Sequence, residues 1–127
     1  MKIFSGSSNP KLAKKIARRL KAKIGKIELS RFANEEARVW IKEKKLNTTA
    51  IIVQSLSAPP DKHIVEFCLI CEAVKRLGAK KLIAVIPYLG YSKQDKIFRS
   101  GEPLSVKVIA QMIQTTSFDK IITLDLH

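Results

Sequence analysis

Short apolar runs alternate with longer amphipathic stretches from one end of this 127-residue chain to the other, and that alternation restricts the fold more than any single residue does. Lys2–Phe4 reads as a short strand. Asn9 and Pro10 then supply an N-cap and a preset first helical residue for a helix running to about Lys21. Leu12, Ile16 and Leu20 recur every four residues as its apolar stripe, and Gly25 is expected to end the unit. Residues 27–31 and 37–41 alternate apolar with polar side chains, which predicts two half-buried antiparallel strands joined through Phe32–Glu36. Residues 50–53 are wholly apolar, as a strand in the middle of a parallel sheet should be. Pro59, Pro60 and Asp61 open a second helix whose inner face is read as Ile64, Val65, Cys68, Leu69 and Ala73, with Gly78 closing it. Residues 82–86 form the next buried strand, Ser105 is the expected cap of a third helix bearing Ile109, Met112 and Ile113, and residues 121–124 are the last strand. Repeated strand–helix–strand units predict an α/β fold, an open doubly wound parallel sheet with flanking helices and one β-hairpin.

A chain of this length has room for a single domain, residues 1–127, burying roughly two-thirds of its unfolded surface. Hydrophobic residues make up 46%, yet no run approaches the ~20 apolar residues that span a bilayer. Residues 1–5 lack the apolar core of a secretory signal, so residence in the cytoplasm, away from membranes, is expected. Lys and Arg number 24 against 11 Asp and Glu, a net charge of +13 that favours an anionic partner, polyphosphate and nucleic acid equally. Much of the excess falls on Lys11, Lys14, Lys15, Arg18, Arg19, Lys21 and Lys23, which at helical spacing read first as a solvated face. Cys68 and Cys71 fall on one side of a helix and read as reduced core thiols. A zinc site would need further ligands, and His63 and His127 are far apart.

On this frame the polar segments Ser5-Gly6-Ser7, Gln54-Ser55-Leu56-Ser57, Tyr88–Ser105 and Asp125–His127 each follow the carboxyl end of a predicted parallel strand, the edge where open α/β sheets bind ligands. Residues 88–105 stand out as a long loop between apolar segments, and such loops usually bind something. Lys93, Lys96 and Arg99 supply cations, Gln94 and Asp95 directional hydrogen bonds, and Tyr88, Tyr91 and Phe98 flat apolar faces. That combination suits a nucleotide with its phosphates.

The same loop resembles the nucleotide loop of the ribose-phosphate diphosphokinases, also called phosphoribosyl pyrophosphate synthetases. Other segments agree in order: Phe4-Ser5-Gly6-Ser7, Arg31-Phe32-Ala33-Asn34-Glu35-Glu36, Ile52-Val53-Gln54-Ser55, Ala84-Val85-Ile86-Pro87-Tyr88, Glu102-Pro103-Leu104-Ser105 and Thr123-Leu124-Asp125-Leu126-His127. The resemblance implies a phosphoribosyltransferase-like N-terminal domain and the transfer of diphosphate from Mg²⁺-bound ATP to ribose 5-phosphate, giving phosphoribosyl diphosphate and AMP. It places Phe32, Asn34 and Glu36 on a hairpin that holds adenine, often that of a neighbouring subunit's ATP. Lys93, Gln94 and Asp95 fall beside the nucleotide phosphates, with Lys96 and Arg99 as further phosphate contacts, and His127 is associated with the ATP-bound magnesium. A homo-oligomer, dimer to hexamer, follows from the shared adenine. Phosphoryl transfer of this kind depends on positioning and on neutralising spread negative charge, which suits these residue types.

Two departures stand out. Lys93 replaces the family's arginine, keeping the charge but losing bidentate geometry, and Ile97-Phe98 stand where the family is usually charged. The acidic phosphoribosyl-binding signature of the family's C-terminal domain is absent from these residues, so no catalytic residue is assigned and ribose 5-phosphate is expected to bind only with that domain. The alternatives are a non-catalytic homologue that binds synthetase subunits and a basic nucleic-acid-binding module.

Overall fold

The computed structural model describes residues 1–124 and 126. Its elements are β1 (Lys2–Ser5), α1 (Pro10–Leu20), β2 (Lys23–Ile24), β3 (Ile27–Arg31), β4 (Ala37–Ile41), β5 (Thr49–Val53), α2 (Pro60–Arg76), β6 (Lys81–Ile86), α3 (Ser105–Gln114) and β7 (Lys120–Thr123). Five strands form a parallel sheet in the order β2-β1-β5-β6-β7, with apolar β5 at its centre, and β3 pairs with β4 as a separate antiparallel hairpin. The doubly wound α/β fold expected from the alternation is present.

The chain winds outward in both directions from β1 and β5, so right-handed crossovers must put α1 on one face and the helices of the other half on the opposite one. Two separate clusters of buried side chains fit that requirement. Ala13 and Ala17 of α1 pack on Ile3, Ile51 and Val53. Ile64, Phe67, Ile70, Cys71 and Val74 of α2 and Ile113 of α3 pack on Phe4, Ala50, Ile52, Leu82, Ala84 and Ile86. Truncating a fully buried ring such as Phe67 to Ala would cost about 3–5 kcal/mol.

The caps behave unevenly. Asn9 Oδ1 accepts from Leu12 N at 3.2 Å, the expected N-cap of α1. Its end is made by Lys21 in the left-handed region (φ 52), not by Gly25. Gly25 is needed for another reason: a Cβ there would lie 2.1 Å from the Phe4 ring. Ser105 is the first residue of α3, not its cap; Leu104 takes that place without a side-chain bond.

Helix faces also differ from the periodicity. In α1 the small Ala13 and Ala17 sit on the sheet while Leu20 is exposed. In α2 the sheet takes Ile64, Phe67, Cys71 and Val74, whereas Val65 and Leu69 face grooves and are 49% and 39% exposed. Apolar residues surround more than one side of α2 because the hairpin packs against it as well, so no single stripe marks the sheet side. Met112 of α3 is exposed, and only Ile113 of that helix is buried. Cys68 and Cys71 are both free thiols, as expected.

Candidate functional site

The point where the winding direction reverses lies between the carboxyl ends of β1 and β5, the usual ligand crevice of such sheets. Here the protein fills it with its own polar groups. Ser8 Oγ and Ser8 N donate to Gln54 Oε1 at 2.7 and 3.1 Å, and Gln54 Nε2 donates to Glu66 Oε1 at 2.8 Å. Ser7 N and Ser7 Oγ donate to the same carboxylate at 2.7 and 3.0 Å, and Ser55 N donates to Ser8 Oγ at 2.7 Å. Gly6 lets Gln54 come this close, since a Cβ there would sit 2.1 Å from Gln54 Oε1. Gln54 and Glu66 are both buried, and the sequence reading gave Glu66 no role. The signal was available: Glu66 is an acid flanked by the apolar Ile64, Val65, Phe67 and Cys68 of α2.

Beside that crevice, most of the exposed polar groups of the carboxyl edge among the described residues belong to residues 87–104. The loop starts against the body of the domain, where Leu56 N donates to Tyr88 O at 2.9 Å and a Cβ on Gly90 would meet Leu56 O at 2.7 Å. Tyr91 then adopts a left-handed backbone (φ 66), and its hydroxyl donates to Asp61 Oδ1 in the first turn of α2. At the far end Gln94 is turned inward: its Nε2 donates to Glu102 Oε2 at 3.1 Å, its Oε1 accepts from Ser105 Oγ, and its carbonyl accepts from Val106 N at 3.4 Å. Gln94 thus holds the loop to the start of α3. Lys93, Asp95, Lys96 and Arg99 are exposed, Arg99 lying 4.0 Å from Glu102. Ile97 and Phe98 are exposed too, Phe98 at 73%.

The second group of predicted residues occupies the hairpin tip. Phe32 N donates to Glu36 O and Glu35 N to Phe32 O, both at 2.9 Å, while Asn34 Oδ1 accepts from Glu36 N at 3.1 Å. Asn34 therefore spends its carbonyl on the turn. Phe32 is 51% exposed, with the Arg38 guanidinium 5.8 Å from its ring centroid, and Glu36 is exposed beside it. A groove of ≈ 460 Å³ runs between Arg31, Glu36 and Ala37 of the hairpin and Asp61, Lys62, Val65 and Leu69 of α2. Asp61 borders this groove and also holds Tyr91, so α2 begins between the two predicted elements.

A larger groove of ≈ 520 Å³ between α2 and the end of α3 contains none of the predicted residues. Its cations are engaged: Arg76 pairs with Glu72, and Lys75 Nζ donates to the carbonyls of Thr116 and Ser117. Burial raises the Cys68 thiol on its wall, which keeps it in the unreactive protonated form. Among the described residues no group of three His, Cys, Asp or Glu is gathered to hold a metal, and His127 lies outside the described residues.

The family described as the N-terminal domain of ribose phosphate pyrophosphokinase matches residues 1–116 of this sequence. The chain belongs to that family. Ribose-phosphate pyrophosphokinases of Bacillus subtilis and Oceanobacillus iheyensis are 41% and 39% identical to it over 127 residues, which is 100% of this chain and 40% of each relative. A crystal structure of phosphoribosylpyrophosphate synthetase from Mycobacterium smegmatis superposes with a TM-score of 0.91 at 33% identity, covering 98% of this chain and 42% of that one. The chain thus matches the N-terminal part of ribose-phosphate pyrophosphokinases, transferases of more than twice its length.

Proposed function

We propose that these residues form the ATP-contacting half of a ribose-phosphate pyrophosphokinase, which moves a diphosphoryl group from Mg²⁺-bound ATP to ribose 5-phosphate. The observation that carries the reading is the pairing of a solvent-facing cationic loop, residues 93–99, with an exposed ring and carboxylate on the hairpin, Phe32 and Glu36, both resting on the start of α2. Neither element buries its distinctive side chains within the domain, which suits groups reserved for a ligand or a second subunit.

Lys93, Lys96 and Arg99 neutralise the triphosphate and hold it in one geometry; Phe32 stacks on adenine, and Glu36 with Asn34 accepts from and donates to its Watson–Crick edge. Gln94 acts on the phosphates indirectly, by fixing the loop that carries Lys93 and Asp95. Magnesium fits this arrangement as an ion that arrives with ATP, because Mg²⁺ is usually bound through substrate phosphates and one or two protein groups rather than by a ready-made cage. Asp95 and His127 are the residues proposed to face it. Its charge offsets that of the phosphates when bound. The hairpin serves the ATP of a neighbouring subunit in a homo-oligomer, dimer to hexamer, and the protein works in the cytoplasm.

Calorimetry with Mg-ATP and an assay of ribose 5-phosphate-dependent AMP release test this reading. The chain by itself is expected to bind Mg-ATP and to release no AMP. Joined to the C-terminal part of a relative, it should gain activity. Failure to bind Mg-ATP, together with tight and salt-sensitive binding of RNA, would overturn it.

A further inference from the structure

Tyr91 and Asp61 are given no contact with the nucleotide in the assignment above, yet their hydrogen bond attaches the exposed loop to α2 just before its cations begin. We propose that Tyr91 and Asp61 are positioning residues: their side-chain bond latches the entry of the loop to the first turn of α2 and so sets where Lys93, Lys96 and Arg99 meet the nucleotide phosphates. This rests on the reading that the loop binds those phosphates.

The backbone gives the latch its leverage. Tyr91 holds φ at 66, a conformation that a bulky residue adopts only where its surroundings compel it. Ser92 N donates to Leu89 O at 3.4 Å and Gln94 N to Tyr91 O at 3.2 Å, so Tyr91 is the pivot of a tight turn, and every residue after it is redirected if it relaxes. Upstream the chain is fixed, because Leu56 N holds Tyr88 O and Gly90 lies against Leu56. Downstream Gln94 is tied to Glu102, Ser105 and Val106, all of the loop's own exit and α3. Those downstream ties leave the loop free to move with the start of α3. Among the described residues the Tyr91 hydroxyl makes the side-chain hydrogen bond that joins it to α2, and the bond raises the Tyr91 phenol above its usual range.

The choice of helix also matters. Asp61 lines the groove below Glu36 of the hairpin, so one turn of α2 supports both nucleotide-contacting elements. A loop displaced from Asp61 is displaced from the hairpin as well.

Tyr91→Phe, Asp61→Ala and Asp61→Asn test the proposal, each followed by amide hydrogen exchange and by Mg-ATP calorimetry. Tyr91→Phe and Asp61→Ala should speed exchange of residues 92–102 while leaving α2 and β6 unchanged, and should weaken Mg-ATP binding by ~10-fold, the scale of one lost hydrogen bond to a charged group. The double variant should be no worse than either single one, since both remove the same bond. Asp61→Asn keeps an acceptor for the phenol without the charge and should lose less than Asp61→Ala in both exchange protection and affinity. Unchanged loop exchange in Tyr91→Phe, or additive losses in the double variant, would sink the latch. Faster loop exchange in the variants, with no Mg-ATP binding by the wild-type chain, would instead sink the assigned ligand, leaving the two failures distinguishable.

Discussion

Gln54 Nε2 reaches Glu66 Oε1 at 2.8 Å in the crevice between β1 and β5, with both side chains withdrawn from solvent. Three protein donors converge on the Glu66 carboxylate, from Ser7 N, Ser7 Oγ and Gln54, and no lysine or arginine pairs with it among the described residues. A buried carboxyl group keeps its place when donors satisfy both of its oxygens, as these three do. Together with the Ser7 and Ser8 bonds, the Gln54–Glu66 bond ties the β1–α1 loop to β5 and α2.

Glu66→Ala is accordingly expected to destabilise the domain by about 2–3 kcal/mol, because it removes the acceptor of the buried Gln54 amide and leaves a gap among the apolar residues of α2. Glu66→Gln retains the shape and one acceptor oxygen, and should lose about 1–2 kcal/mol. Urea titrations of the two variants check the order; equal losses would mean that volume, not hydrogen bonding, decides the site.

Cys71 gives a pH dependence. Burial pushes its thiol from 9.0 up to about 12, with a hydrogen bond involving Thr116 opposing the shift. From about pH 9 upward the unfolded chain gives up a proton that the folded chain keeps, so stability is full below that pH and falls by about 1 kcal/mol per pH unit above it. Urea midpoints at about pH 8 and about pH 10 should show the fall, and Cys71→Ala should flatten it relative to wild type, lysine titration being common to both.

Phe32→Ala separates ligand from fold. The ring is 51% exposed and lies at the hairpin tip, so stability should change by less than about 0.5 kcal/mol. Affinity for Mg-ATP in the assembled oligomer should fall by about 1–3 kcal/mol, the value of one base stacked on an aromatic ring. Sedimentation run alongside should show association of the wild-type chain at micromolar concentration; a strict monomer would remove the reason for a shared adenine site.

Lys93→Ala sets a formed phosphate contact against diffuse charge. It should weaken Mg-ATP binding by about 1.5–3 kcal/mol, the scale for a charge-assisted hydrogen bond. Changing Lys14 and Lys15 to Ala, on the exposed face of α1, should have little effect at physiological salt, where the Debye length is about 8 Å. Equal losses in a calorimeter at fixed salt would mean that the +13 field alone draws the nucleotide.

Sequence alone was enough to place the elements, because strand and helix periods differ and the punctuation at Asn9-Pro10, Pro59-Pro60 and Gly78 is local chemistry. The two-residue strand β2 escaped, being too short to show any period. It was also enough to recognise the family, since Phe32, Asn34 and Glu36 and the loop at 93–99 stand in the right order along the chain.

What only tertiary structure decided is which neighbour each side chain meets. Helical spacing assigned Val65 and Leu69 to the core, but α2 touches both sheet and hairpin, and the sheet side went to Phe67, Ile70 and Val74. Spacing likewise offered Ser105 as the cap of α3, and its hydroxyl bonds to Gln94 of the loop instead. Glu66 meeting Ser7 across 59 residues, and Tyr91 meeting Asp61 across 30, join segments that no local pattern links. A one-dimensional pattern reports how apolar a position is; the partners of a polar group depend on which loops the sheet order brings together, and that order is fixed only when the whole chain packs.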